Sequence, residues 1–304
     1  MTVIDIAHVT KRFGSVTAVD DLSLAVPPGC IYGFIGPNGS GKTTTLRMIM
    51  RILLQDQGTI SVLGESGTLA ARDRVGYLPE ERGLYKSMTL RRLLRYYGRL
   101  KGRSLAEVDQ ASTEWLRRFD LTDRADRKIE TLSKGMSQKA QFISAVVGRP
   151  DLLILDEPFS GLDPVNAEVL RESVLELRRR GTTVVFSTHD MATAEQMCDR
   201  IFMIFRGRKV LDGTLDEIQA RFGFDTIRIR TAGGIAALSG LPGVDSMNDY
   251  GHVQELRLTI DPQEFLHLLA SRTAIQQFEI VRPSLHDIFV RIARPEQNGA
   301  AAHA

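Results

Sequence analysis

The spacing of apolar and polar positions gives the chain two stretches of different character. Residues 2–10 and 22–26 alternate like strands of a partly exposed sheet, and 58–64 and 75–79 read as further short strands. The runs at 31–35, 152–155 and 183–187 do not alternate. Leu152-Leu153-Ile154-Leu155 has no polar position at all, which predicts a central parallel strand covered on both faces. Helical spacing takes over at 44–50 and again from about 84 to 124, where Leu90, Leu93, Leu94, Tyr97, Leu100, Val108, Trp115, Leu116 and Phe119 recur. Further helices are expected at 133–147 and 164–180. Strands alternating with helices predict an α/β core, with a helical subdomain inserted at about 84–148. Beyond about residue 222 the pattern changes. Strands at 226–231, 254–260 and 276–281 with helices at 262–271 and 284–292 predict a small α+β unit of split βαβ type. The expected domains are therefore 1–221 and 222–294, followed by a disordered tail at 295–304.

Composition adds limits more than detail. With 304 residues the chain holds one large domain and a small one. A net charge of +2 predicts no strong attraction of the whole molecule to nucleic acid or anionic lipid. Arg91, Arg92, Arg95, Arg99, Lys101 and Arg103 crowd one segment, as a solvated helix face or as a patch for an acidic partner. Cys30 and Cys198 cannot build a disulfide framework or a zinc site; both are expected to pack, in a reducing compartment. No export signal is visible at the N-terminus, and no apolar run reaches the ~18–20 residues that span a bilayer.

The chemistry starts at Gly36-Pro37-Asn38-Gly39-Ser40-Gly41-Lys42-Thr43-Thr44, which fits G-x-x-x-x-G-K-[ST] between an expected strand and an expected helix. Glycines let successive N–H groups turn inward around an anion, and the helix N-terminus adds further donors and a positive dipole end. Lys42 brings a point charge to β- and γ-phosphates, and the Thr43 hydroxyl can ligate Mg²⁺. The loop implies a bound nucleoside triphosphate.

Three further clusters accompany it. Asp156 and Glu157 end the apolar strand at 152–155, where two adjacent carboxylates are costly unless they are used. Asp156 is placed to hold Mg²⁺ and Glu157 to polarise an attacking water. His189 follows the strand at 183–187 and can sense a γ-phosphate. Leu132-Ser133-Lys134-Gly135-Met136 opens a helix, with Ser133 suited to N-capping and Gly135 to close backbone approach. That makes a second anion-binding helix end, redundant within a single phosphate site.

The order of phosphate loop, residues 132–136, acidic strand, Ser160-Gly161-Leu162-Asp163 and His189 resembles the nucleotide-binding subunits of ATP-binding cassette (ABC) transporters, over residues 2 to about 220. The resemblance implies a P-loop NTPase core with an antiparallel β subdomain, ATP and Mg²⁺ as ligands, and ATP hydrolysis. It assigns phosphates to Lys42 and the loop amides, metal to Thr43 and Asp156, the general base to Glu157 and the γ-phosphate switch to His189. Ser133 and Gly135 would face the ATP of a second subunit in a head-to-tail pair with Asp163 at the seam, and Phe13 would stack on adenine. A preference for ATP over GTP is likewise the family's suggestion.

Two positions depart from the common pattern. Glu80 stands where most relatives have glutamine, adding a negative charge near the metal, and Lys134 and Met136 interrupt Leu-Ser-Gly-Gly-Gln. Both variants resemble a branch serving two-component exporters for drugs or sodium, which often carries a small C-terminal domain like residues 222–294. Lys134 of one subunit would then compensate Glu80 of the other, unless it points to solvent. The expected partners are a second cassette subunit and a separate polytopic membrane permease, with the chain on the cytoplasmic face of the membrane and no nucleic acid bound. Two other readings compete: a soluble cassette ATPase acting on ribosomes or DNA, and a nucleotide sensor without turnover. The near-neutral charge disfavours the first, and intact Glu157 and His189 disfavour the second.

Overall fold

The computed structural model describes residues 2–66, 73–81, 83–222 and 226–293. Arg82 and the tail expected at 295–304 lie outside the described residues. Two compact units are present, Met1–Thr214 and Leu215–Ala304.

In the first unit, β1 (Ile4–Phe13) and β2 (Val16–Val26) pair antiparallel, and β4 (Gln57–Val62) and β5 (Glu65–Ser66) extend the sheet in the order β2-β1-β4-β5. A second sheet runs β10-β9-β3-β8-β7-β6. Its parallel strands are β3 (Ile31–Ile35), β6 (Val75–Leu78), β7 (Leu152–Asp156), β8 (Thr183–Thr188) and β9 (Arg200–Phe205). The edge strand β10 (Arg208–Gly213) is antiparallel to β9.

Both faces of this sheet are buried, which explains the unbroken apolar runs. Ile31, Leu153, Leu155, Val184 and Phe186 face one core with the helices α2 (Leu90–Leu100), α3 (Leu105–Arg118), α4 (Lys134–Val146) and α5 (Pro164–Arg179). Tyr32, Phe34, Ile154, Val185 and Phe202 face a second core, shared with α1 (Lys42–Ile49) and the antiparallel sheet. The expected helical insertion is thus α2 to α4, entered through the Thr89 cap and the Ser104–Glu107 capping box.

Several elements go beyond the pattern reading. β1 and β2 are longer than the alternating stretches. The β9–β10 hairpin and α6 (Met191–Met197) also belong to the first unit. Two of the six residues of the basic segment are paired with carboxylates, and others bond neighbouring backbone. Arg91 chelates Asp126 at 2.8 and 3.0 Å, and Arg95 chelates Asp109 at 2.7 and 2.7 Å. Lys101 and Arg103 donate to the backbone of Val75 and Gly148.

The second unit contains α7 (Leu215–Phe222), β11 (Thr226–Thr231), β12 (Val244–Asp249), β13 (Gln254–Leu258), α8 (Pro262–Ala270), β14 (Ile275–Val281) and α9 (Leu285–Ala293). Its sheet order is β12-β13-β11-β14 with every pair antiparallel, so β11 and β12 run the same way with β13 between them. This is the expected split arrangement. The first crossover is a 3-10 turn at Gly234–Leu238 where a helix would be usual. Ile227, Ile229, Leu256, Leu258, Phe265 and Leu269 form a core of its own.

Candidate functional site

The phosphate loop leaves β3 by a backbone path that only glycine accepts. At Gly36 (φ 154°) a Cβ would sit 2.2 Å from the Ile204 carbonyl oxygen. At Gly41 (φ 109°) it would sit 2.6 Å from that of Ala18. Gly41 is also the N-cap of α1, so the chain turns from loop to helix there with its amides free to point at an anion. Ser40 adds a buried hydroxyl without a partner among the described residues.

Lys42 is the first residue of α1, and only 6% of its side chain is exposed. Its Nζ donates to the Gly36 oxygen at 2.7 Å and the Pro37 oxygen at 3.2 Å, and lies 3.8 Å from Glu157 Oε1. Burial pulls its pKa below the usual lysine value, against the carboxylates of Glu157, Asp156 and Glu80, which hold the proton on. The ammonium is therefore poorly solvated, a setting in which a phosphate would gain strongly from it.

The acidic pair takes two different positions. Asp156 is buried at the end of β7. Its Oδ1 accepts from Ser187 Oγ at 2.5 Å and Thr43 Oγ1 at 3.2 Å. Its Oδ2 is buried with no partner among the described residues. Glu157 turns aside with φ 49°, a left-handed conformation costing about 1–3 kcal/mol in a residue other than glycine. That turn brings its carboxylate to Lys42 on one side and His189 on the other. Nδ1 of His189 lies 3.1 Å from both Glu157 oxygens.

A cavity of about 290 Å³ is lined by Ala18, Asn38, Gly39, Gly41, Lys42, Thr43, Thr44, Glu80 and Glu157. A smaller one of about 170 Å³ shares Glu80 and Glu157, adds Asp156, and is bounded by Gln138 and Gln141 of α4. The two amides are placed by α4. Gln138 Nε2 donates to the oxygens of Pro158 (2.9 Å) and Ser160 (3.2 Å), and Gln141 Nε2 to those of Pro79 (3.4 Å) and Glu81 (3.2 Å).

The other sequence candidates lie elsewhere. Ser133 caps α4, its Oγ accepting from Met136 N–H at 3.2 Å, and both it and Lys134 are exposed. A Cβ on Gly135 would meet nothing nearer than Asn166 Nδ2 at 4.0 Å. That same Asn166 donates its side-chain amide to Asp163, the N-cap of α5. Phe13, half exposed at the end of β1 beneath Lys11 Nζ at 5.5 Å, lines neither cavity. Sequence reasoning missed Ser187, Gln138 and Gln141. Ser187 left one signal, a serine directly after the apolar stretch Val184-Val185-Phe186.

A divalent cation fits these donors. A buried orphan carboxylate oxygen beside a threonine hydroxyl is an all-oxygen set of the kind Mg²⁺ accepts, with phosphate oxygens completing the shell. No group of three His, Cys, Asp or Glu among the described residues could hold a metal unaided.

Comparison with known proteins agrees with the fold and with the family resemblance. The ABC transporter family model matches residues 19–160, and the C-terminal domain of DrrA1-3-like ATP-binding proteins matches residues 213–293. An ABC transporter ATP-binding protein of Bacillus subtilis, YhaQ, is 42% identical over 94% of this chain and 96% of its own length. The linearmycin resistance ATP-binding protein LnrL of the same organism is 34% identical over 94% and 96%. The Nod factor export ATP-binding protein I of Burkholderia lata is 36% identical over 96% and 97%. A solved ATP-binding subunit of an ABC transporter superposes with TM-score 0.70 at 34% identity, covering 73% of this chain and 94% of that one.

Proposed function

The chain belongs to the ATP-binding proteins of ABC transporters and is an ATPase of that family, and we propose that it powers export through a separate membrane permease by pairing head-to-tail with a second cassette subunit. Relatives named for linearmycin resistance and Nod factor export support the direction of transport. No helix among the described residues is long and apolar enough to cross a membrane, which fits a permease on another chain at the cytoplasmic face.

The observation that carries this is the convergence of Lys42, Thr43, Glu80 and Glu157 on one cavity while Ser133 and Gly135 lie outside it. One half of a phosphate site is then built here, and the exposed end of α4 is left for nucleotide held by the second subunit. In that assignment residues 36–44 cradle the phosphates and Lys42 leaves its own loop carbonyls for them. Thr43 and Asp156 would hold Mg²⁺, with Glu80 beside them, and the metal would supply charge neutralisation to the phosphates. Glu157 takes the proton of the attacking water, and His189 fixes the Glu157 carboxylate and reports on the γ-phosphate. Positioning and charge stabilisation carry most of the acceleration. Phe13 stacks on the base at the mouth of the loop. Lys134 faces Glu80 across the seam, and Asp163 lines it.

Glu157→Gln tests the base. It keeps the shape and removes the proton acceptor, so hydrolysis should fall ~100-fold or more while ATP binding persists and the closed pair accumulates in gel filtration with ATP. Hydrolysis at the wild-type rate would remove Glu157 from the mechanism.

A further inference from the structure

β8 carries His189 just past its end, but a residue within it touches both acidic residues, Asp156 at its carboxylate and Glu157 at its backbone N–H. In the parallel pairing of β7 and β8, Ser187 stands opposite Asp156, and it is wholly buried. A serine hydroxyl has one proton to give, and an ionised carboxylate can only accept. The proton therefore goes to Asp156 Oδ1 at 2.5 Å, and the Ser187 oxygen accepts the Glu157 N–H at 3.0 Å.

We infer that Ser187 is a positioning residue of the hydrolytic site, one hydroxyl that orients the metal-binding carboxylate of Asp156 and anchors the left-handed peptide of Glu157. The inference rests on the nucleotide-site assignment above. At one end of the chain, Oδ1 is held by Ser187 and approached by Thr43, so the Asp156 carboxylate cannot rotate freely and offers Oδ2 in a single orientation. At the other, the Glu157 N–H leaves the direction of the strand and finds its acceptor in a side chain of β8. Fixing that peptide fixes where the Glu157 carboxylate can reach, 3.8 Å from Lys42 and 3.1 Å from His189. An alanine at 187 undoes both ends at once, leaving a buried N–H without an acceptor and Oδ1 without its nearer donor.

Outer-shell partners of this kind are worth about 10–100-fold in metal affinity or turnover. Ser187→Ala should retain ADP affinity in EDTA, measured calorimetrically. The MgCl₂ midpoint for the Mg²⁺-dependent thermal shift of the ADP-bound protein should rise ~10-fold. In steady state kcat should fall ~10–100-fold with KM for ATP within about threefold, because substrate binding is kept and the reacting geometry is lost. The matched pair Ser187→Thr and Ser187→Val separates the hydroxyl from packing, since both add similar bulk and only threonine keeps the donor. Threonine should recover most of the magnesium response and valine should not. A wild-type protein indifferent to magnesium would overturn the nucleotide-site assignment and this inference with it. A responsive wild type with Ser187→Ala unchanged, or with threonine and valine equally impaired, would overturn the inference alone.

Discussion

At the scale of single residues, much of this site is a set of backbone conformations that side chains must tolerate. Gly41 combines φ 109° with a would-be Cβ contact of 2.6 Å to the Ala18 backbone, so neither strain nor crowding can be relieved by a rotamer change. Gly41→Ala should therefore cost about 1–3 kcal/mol and displace β2 from the loop. In a unit of this size that lowers the melting temperature by several degrees, at ~2–4 °C per kcal/mol. ATP affinity should fall with it. A differential scanning melt with and without ATP checks both, and an unchanged melt would mean that the loop relaxes at no cost. Glu157 shows the converse, a residue held in the left-handed region by its surroundings, which brings its carboxylate to Lys42 and His189.

At the scale of elements, α4 connects its exposed start at Ser133 and Lys134 to the interior of the site. One of its faces carries Gln138 and Gln141 a turn apart, and each amide grips the backbone of a different loop. Gln141→Leu keeps the volume and releases the carbonyls of Pro79 and Glu81, which flank Glu80. Stability should change by no more than about 1–3 kcal/mol, the usual range for a buried bond broken at one side. Turnover should fall ~10-fold as Glu80 loses its place. Steady-state hydrolysis beside a thermal melt tests this, and a variant losing only stability would reduce Gln141 to packing. These amides show the limit of sequence legibility. The phosphate loop, the acidic strand and the helical insertion were readable because local spacing encodes them. Gln138, Gln141 and Ser187 act across distances of 20 to 62 residues and have no local signature. β12 was illegible for a different reason: as an edge strand exposed along nearly its whole length, it has no apolar period to detect. The β9–β10 turn depends on Arg206 and Gly207 both adopting positive φ, which the arginine gives no reason to expect.

At the scale of the whole molecule, Gly135 is a residue whose identity this chain alone does not explain. Its φ is unexceptional, and a methyl group there would meet only Asn166 Nδ2, at 4.0 Å. Within the subunit alanine is the better residue near a helix start, by up to about 1 kcal/mol. Glycine is a cost without local return among the described residues, and the proposed pairing would supply one, a close backbone approach of α4 to what it meets. If that is ATP bound to the second subunit, Gly135→Ala should melt at or slightly above the wild-type temperature and bind ATP normally as a monomer. It should also fail to form the ATP-dependent pair and lose most hydrolysis. Ser133→Arg should block pairing and hydrolysis more severely, since it projects bulk and charge from the same exposed end, and losing the α4 cap should lower its stability by about 0.5–2 kcal/mol without affecting monomer ATP binding. Lys42→Ala should show the opposite pattern, losing ATP affinity in the monomer itself. Sedimentation with ATP in the Glu157→Gln background separates these cases. If Gly135→Ala pairs and hydrolyses like the wild type, the second subunit makes no close approach at α4, and the shared-site arrangement fails.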